Sequence, residues 1–381
     1  MTFSLYVHIP YCRQRCPYCD FNAHAVEHVP EQPYAEALLG ELRRAAGTGL
    51  WSGRTVDTIF FGGGTPSMFA PETIALLLHT VRDLFPVSPD GEITLEANPG
   101  TVDRARLTGY REAGINRVSF GVQSFNDRHL QTLGRIHDAR AAARAVDDAR
   151  AAGFDAINTD LMFGVPGQHP AEWRTDLDRA LEADPGHISA YCLTYEEGTA
   201  FHAWRASGRL TPVEEEAEIT MLLTACTVLG NAGYERYEIS NYARPGRACR
   251  HNVAYWQRRP YLGVGAGAHS LTPAGPWGER HANVRAPALY IEMAGRQGSA
   301  LASRECLVRD QAMAETLFLG LRMMEGVLLD EFSGRFGVSI AAARPSLATM
   351  LDAGMVEVAD GRLRLTAAGL LQADSVFTAL L

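Results

Sequence analysis

The sequence predicts an α/β protein: a partial six-unit (β/α) barrel of the TIM type, followed by a mostly helical, winged-helix-like C-terminal domain. Three observations lead there. Apolar runs alternate with amphipathic helical stretches through the first two-thirds of the chain, the order that parallel β/α units impose. Six such units with short apolar strands suit a partial barrel better than an open sheet. From Val308 onward the pattern changes to three helices and a hairpin.

LYVHI (5–9) reads as the first strand, followed by a helix from Tyr34 to Ala46. VDTIFF (56–61) is the second strand and runs into GGGTP. PETIALLLHTVRDLF (71–85) is an amphipathic helix with Pro71 in its first turn, where the missing N–H is tolerated. EITLEANP, TVDRARLTGYREAG and RVSFGVQS repeat the strand–helix–strand order. DARAAARAVDDARAAG (138–153) is a helix closed by Gly153; DAINTDLMFGVP (155–166), a helix at 171–183 and HISAYCLTYE (187–196) complete the series.

The region from Tyr234 to Ala300 is richer in Gly, Pro, Arg and aromatics, with weaker periodicity. Beyond it, AMAETLFLGLRMMEG, LLDEFSGRFG and AARPSLATMLDAG read as helices, and MVEVADGRLRLT as a hairpin turning at Asp360-Gly361. These shifts suggest a core barrel at 1–235, an extension at 236–307 and a C-terminal domain at 308–381. Winged-helix modules often bind DNA. Here nine acidic residues face six Arg from position 308 on, which argues for a lid or a partner surface instead.

Hydrophobic residues make up 46% of the chain, ample for a large core, yet no apolar run approaches a membrane span. The start, MTFSLYVHIP, has neither a basic region nor an apolar leader segment. The expectation is a cytoplasmic protein without a transmembrane segment, with transient membrane contact left open. The net charge of −9 argues against a nucleic-acid partner. All 35 basic residues are Arg, which excludes a Schiff-base lysine, a pyridoxal-phosphate anchor and a P-loop lysine. Of seven cysteines, Cys192, Cys226, Cys249 and Cys306 are scattered singly, as ordinary buried residues are and a disulfide framework is not.

In a (β/α) barrel the active site lies at the C-terminal ends of the strands. Gly62-Gly63-Gly64-Thr65 follow the second strand, Glu96 ends the third, Gln123 ends the fourth and Asp160 interrupts the fifth. GGGTP lacks the glycine spacing of a dinucleotide fingerprint, but consecutive glycines let backbone approach a ligand closely. After the first strand, YCRQRCPYCDF (11–21) carries Cys12, Cys16 and Cys19. A structural zinc site wants four ligands, and His24 is available as the fourth. A four-iron cluster takes one thiolate per iron, so three cysteines leave one iron open to an exogenous ligand. Spacing alone leaves both metals open.

The C-x3-C-x2-C loop after the first barrel strand resembles the radical S-adenosylmethionine (SAM) superfamily. YVHIPYC, FFGGGTPS, LEANP, GVQSF, LGRIH and HNVAYW resemble the subgroup around oxygen-independent coproporphyrinogen III oxidase, and together span most of the chain. The resemblance implies a [4Fe-4S] cluster on Cys12, Cys16 and Cys19, with SAM chelating the open iron. It implies a reductant whose electron, passed through the cluster, cleaves the sulfonium. The family's SAM contacts correspond to Tyr6, Tyr18, Gly63, Gly64, Thr65, Glu96, Gln123, Arg135 and Asp160. The tyrosines would pack on the sulfonium or adenine, the glycine backbone would reach the methionyl amine, and Arg135 would pair with a carboxylate.

The oxidase carries a further cysteine where this sequence has Phe21, and a long segment ahead of its cluster loop. In both respects the chain resembles the HemW-type haem chaperones instead. Their HNxxYW motif corresponds to His251, Asn252, Tyr255 and Trp256, an imidazole for iron and aromatic faces for a porphyrin. His269 is a rival axial ligand. This resemblance implies haem and haem-acceptor proteins as partners, with no catalytic residue assigned. Oxidative decarboxylation of porphyrinogen propionates is the alternative.

Overall fold

The computed structural model describes residues 1–380 and shows the expected parallel series. Strands β1 (Thr2–Ile9), β2 (Thr55–Gly63), β3 (Val87–Ala97), β4 (Arg117–Gln123), β5 (Ala156–Phe163) and β6 (Gly186–Cys192) lie side by side in chain order. Every neighbouring pair among them is parallel. Each strand is two-faced because side chains alternate along it. Phe3, Leu5, Val7 and Ile9 are buried on one face of β1, as are Ile93 and Leu95 of β3 and Val118 and Phe120 of β4. Helices α1 (Glu31–Gly47), α2 (Pro71–Leu84), α3 (Arg104–Ala113), α5 (Ala139–Ala151) and α6 (Pro170–Ala183) supply the other half of that core, through Leu38, Leu42, Leu77, Leu107, Val146 and Leu177. Each such side chain contributes roughly 1.5–3 kcal/mol through burial.

The opposite face is polar: Ser4, Tyr6 and His8 on β1, Thr94 and Glu96 on β3, Ser119 on β4, Asn158 and Asp160 on β5, His187 and Ser189 on β6. Register sets these residues beside one another: Glu96 opposes Ser119, Ser119 opposes Asn158, and Asp160 opposes Ser189. A polar barrel interior serves a ligand better than a core. One short helix, α4 (Asp127–Thr132), is absent from the sequence reading; at six residues it spans less than two turns, too few to show periodicity.

The weakly periodic region differs most from expectation. Strands β7 (Glu235–Arg236) and β8 (Asn241–Ala243) extend the sheet antiparallel from β6. On the other edge β9 (Tyr261–Val264) pairs parallel to β1, followed by the antiparallel β10 (His269–Thr272), β11 (Glu279–Asn283) and β12 (Leu301–Cys306). These strands are short, and β12 is exposed at every position, so no alternation marks it in the sequence. The short helices α7 (Ala200–Ala206) and α9 (Arg250–Trp256) flank α8 (Glu215–Asn231), and α10 (Pro287–Gln297) packs on α1.

The C-terminal region packs α11 (Arg309–Gly320), α12 (Leu329–Phe336), α13 (Ile340–Ala343) and α14 (Ser346–Asp352) around Leu317, Phe332, Phe336, Leu347 and Leu363. Its small sheet holds the expected hairpin, with Asp360 and Gly361 at φ 51° and 72° in the two-residue turn. Both angles are positive, the conformation that a tight hairpin needs. Glu315 on α11 joins this region to the extension, 2.7 Å from Arg258 and 2.6 Å from Arg280. Among the described residues, no helix is long and apolar enough to cross a membrane.

Candidate functional site

The polar barrel face lines a cavity of about 550 Å³. Cys12, Cys16, Cys19, Tyr18, Gly63, Gly64, Thr65, Glu96, Gln123, Arg135 and Asp160 all reach it. Tyr6 does not; it lines a neighbouring cavity of about 370 Å³ that shares Phe21, Gly63 and Glu96 with the first.

The cysteine loop is clamped to the end of β2. Gly64 N–H donates to Ile9 O at 2.8 Å and Thr65 N–H to Tyr11 O at 2.8 Å. A Cβ at Gly64 would lie 2.7 Å from Tyr11 O. Gly63, at φ 115°, would set one 2.5 Å from the His8 ring. The glycines therefore answer first to the close approach of β1 and its loop, and only then to a ligand. Thr65 Oγ1 donates to Cys12 Sγ at 3.5 Å, and Arg135 Nη1 donates to Cys16 Sγ at 3.5 Å. Arg135 also donates to Gly121 O at 2.6 Å and to Asn98 Oδ1. Its guanidinium thus ties Cys16 to the β4 backbone and to Asn98 on the cavity wall.

Burial pushes Cys19 up to about 11 and raises Cys12, although Thr65 and Arg135 oppose the shift at Cys12. Such thiols favour a bound cationic centre that pays their ionisation. The three line one cavity, but no three His, Cys, Asp or Glu side chains among the described residues converge on a single-ion position. His24, the fourth ligand a zinc site would need, sets its Nε2 3.3 Å from Asn22 Oδ1.

Across the cavity, Glu96 accepts the Gly63 N–H at 3.1 Å. Burial, reinforced by the nearby Asp160 carboxyl, pushes Glu96 up to about 8. Burial also raises Asp160, against hydrogen bonds from Ser189 and Asn158. Two buried acids on one wall favour a ligand carrying positive charge. Gln123 holds a left-handed φ of 70° where the β4–β5 register slips, and its Oε1 accepts the Tyr191 hydroxyl at 2.6 Å. A non-glycine residue held there by its neighbours aims a side chain at the cavity.

HNVAYW forms α9 within the barrel. The Glu92 carboxylate accepts the N–H groups of Arg250 and His251 at 3.0 Å each, satisfying the first turn. Asn252 lines the larger cavity and Tyr255 the smaller. His251 and Trp256 reach neither wall. The His251 ring packs 5.0 Å from Phe60 and 4.7 Å from Tyr255, with Nδ1 2.8 Å from Thr58 Oγ1. Burial and then the Arg117 charge push its imidazole down to about 3, so it is neutral. Its Nε2 has no hydrogen-bond partner. Trp256 lies under the Arg322 guanidinium at 4.5 Å, toward the C-terminal region. His269, by contrast, is exposed and lines the smaller cavity. The motif therefore adjoins the cysteine pocket in space despite its distance in sequence.

Sequence reasoning passed over Asn98, Asn158, Ser189 and Tyr191, which tie the cavity wall together. Asn98 stands inside LEANP, and Ser189 and Tyr191 alternate with apolar residues in HISAYC; that alternation was the available signal. Arg285 of the smaller cavity carried none.

The Radical SAM superfamily profile matches residues 6–180, and the HemN C-terminal domain profile matches residues 307–371. The "Heme chaperone HemW" of Escherichia coli K12 is 39% identical, over 94% of this chain and 92% of its own. The Bacillus subtilis protein of the same name is 35% identical over 99% of both chains. The zebrafish "Radical S-adenosyl methionine domain-containing protein 1, mitochondrial" is 36% identical over 99% of this chain and 86% of its own. Among solved structures, E. coli coproporphyrinogen III oxidase (HemN), described as a radical SAM enzyme, superposes with a TM-score of 0.85 at 25% identity, over 99% of this chain and 89% of that one. With relatives at this level of identity covering nearly the whole chain, the chain belongs to the HemW family of the radical SAM superfamily.

Proposed function

We propose that this chain binds haem and hands it to acceptor proteins, with a [4Fe-4S] cluster and SAM in the larger barrel cavity. The observation that carries the reading is the shared wall. A pocket with three thiols and two buried acids continues, through Phe21, Gly63 and Glu96, into a pocket lined by aromatic and histidine side chains. Cys12, Cys16 and Cys19 would supply three thiolates, with Thr65 and Arg135 donating to the sulfurs of Cys12 and Cys16. Such donors stabilise a reduced cluster. SAM is a cation at sulfur and at its amine, which suits Glu96 and Asp160. Gly63, Gly64, Thr65 and Gln123 would position it, with Tyr18 against its side, while Tyr6 stands beyond the shared Gly63 and Glu96 on the neighbouring cavity's wall. When bound, cluster and SAM supply one-electron chemistry; the chain's own residues orient the ligand and shield it from water.

For haem, Asn252 and Tyr255 present HNxxYW to the cavities, while His251 and Trp256 brace it from behind. Acceptor proteins, a reductant for the cluster and a cytoplasmic location belong to the same proposal, as does the division at 235 and 307. The superposition on the oxidase favours one second reading, oxidative decarboxylation of coproporphyrinogen. Anaerobically reconstituted protein should take up one equivalent of haem and release it to an apo-haemoprotein. Given coproporphyrinogen, SAM and reductant, it should form no protoporphyrinogen. Robust SAM-dependent decarboxylation without haem transfer would reverse the two readings.

A further inference from the structure

We propose that the smaller cavity is the haem seat, with His269 as the axial ligand, Arg285 paired to a propionate carboxylate, and Phe21 and Tyr255 covering the macrocycle. The assignment rests on the haem-carrier reading above and goes beyond it by naming the seat and the ligand. An iron ligand needs an imidazole nitrogen with a free lone pair and a path to the metal. The candidates near the cavities differ on this point. His8 has Nδ1 2.9 Å from the Tyr6 hydroxyl and Nε2 3.0 Å from Asn22 O, so both nitrogens are engaged. His24 faces Asn22. His251 has an unpartnered Nε2, but Phe60 and Tyr255 pack around the ring and it lines no cavity wall. His269 stands exposed at the start of β10, on the cavity wall, and neither ring nitrogen makes a hydrogen bond among the described residues.

Charge supports the same seat. Arg285 lines this cavity, and its side chain makes no ion pair or hydrogen bond among the described residues. A guanidinium beside a porphyrin edge pairs a carboxylate by charge-assisted hydrogen bonds. With Arg280 it also adds to burial in lowering the His269 basicity, which favours the neutral ring that binds iron. Tyr6, Tyr255 and Tyr261 provide aromatic wall. Phe21 is 65% exposed, a placement that wastes an aromatic side chain unless something covers it. Because Phe21, Gly63 and Glu96 belong to both cavities, haem seated here touches the wall of the cysteine pocket.

The test uses the full chain, anaerobically reconstituted, titrated with ferric haem and followed by absorption, EPR and near-infrared magnetic circular dichroism. Unmutated protein should bind one equivalent with an imidazole-ligation signature. His269→Ala should lose that signature, and added imidazole should restore it. His269→Met should move it to that of a thioether. Iron–sulfide content, read in parallel, should be unchanged in both. Arg285→Gln should weaken haem binding about tenfold, the size of one charge-assisted contact, and leave binding of haem dimethyl ester unaffected. An unchanged imidazole signature in His269→Ala, or its loss in His251→Ala alone, overturns the ligand. Equal weakening for haem and its ester overturns the propionate pairing. Failure of the unmutated chain to bind stoichiometric haem overturns the carrier reading itself.

Discussion

Thr58 Oγ1 lies 2.8 Å from Nδ1 of His251, joining the inner face of β2 to the first turn of α9. Thr58 also donates to Ser4 Oγ at 2.8 Å, so its oxygen is left to accept Nδ1–H, and Nε2 carries the lone pair. The contact makes the HNxxYW helix part of the barrel floor. His251→Ala should therefore cost stability, roughly 1–3 kcal/mol, for the buried hydrogen bond lost at Thr58, whose hydroxyl keeps only Ser4. Urea unfolding of the ligand-free chain measures this. An unchanged midpoint with altered haem binding would show a ligand role and no bracing role.

Glu96→Gln should stabilise the ligand-free protein near pH 8 while weakening SAM binding. With Glu96 raised to about 8 in the fold, its contribution is intact below the usual carboxylate value near 4.5 and is lost as pH climbs toward 8. Glutamine keeps an acceptor for Gly63 N–H and carries no charge to bury. The expected gain is roughly 1–3 kcal/mol at pH 8, fading below about pH 4.5. Thermal melts across that range, with SAM titrations beside them, would show the opposite signs; a parallel fall in both would count against the acid wall.

Cys16→Ala should abolish the iron–sulfur chromophore, since one iron would lose its thiolate and Arg135 would lose the sulfur it contacts. Iron and sulfide analysis after anaerobic reconstitution decides it. Stoichiometric zinc with no iron chromophore in the parent protein would point to the other metal.

Gly64→Val should remove the cluster and the SAM response together. The added Cβ meets the backbone of Pro10 and Tyr11, the base of the cysteine loop, before it meets any ligand. A full cluster with loss of only the SAM-induced change in the EPR spectrum would show that the loop yields and the ligand contact matters more.

Glu315→Ala should lower stability by roughly 3–5 kcal/mol, because Arg258, whose side chain is 2% exposed, would keep its charge with only the Trp277 carbonyl to face and no carboxylate. Limited proteolysis should then release the C-terminal region sooner than in the parent. An unaltered melting curve would mean that the hydrophobic contact around Trp277 and Phe336 suffices.

The parallel β/α order, the cysteine loop and the rim of polar residues were legible because each is local. Strand alternation, helix periodicity and cysteine spacing are written in consecutive residues, and the Asp360-Gly361 turn is two residues long. The chain folds these signals as read, and Glu96, Gln123 and Asp160 share one cavity because parallel register repeats their inward placement.

What the tertiary structure alone decided depends on contacts between distant segments. The edge strands at 235–306 are too short or too exposed to alternate, so only pairing with β1 and β6 defines them. HNVAYW reads as a haem motif, yet its hydrogen bonds to Thr58 and Glu92, some 160–190 residues away, turn His251 inward and leave the cavity wall to Tyr255 and His269. The contact of Arg135 with Cys16 spans 119 positions and has no signal in the sequence. Sequence determined which chemistry the chain carries, because residue type and spacing are local properties. The direction each group faces is set by the partner that neutralises its charge or fills its hydrogen bonds, and that partner is chosen only when the chain closes on itself.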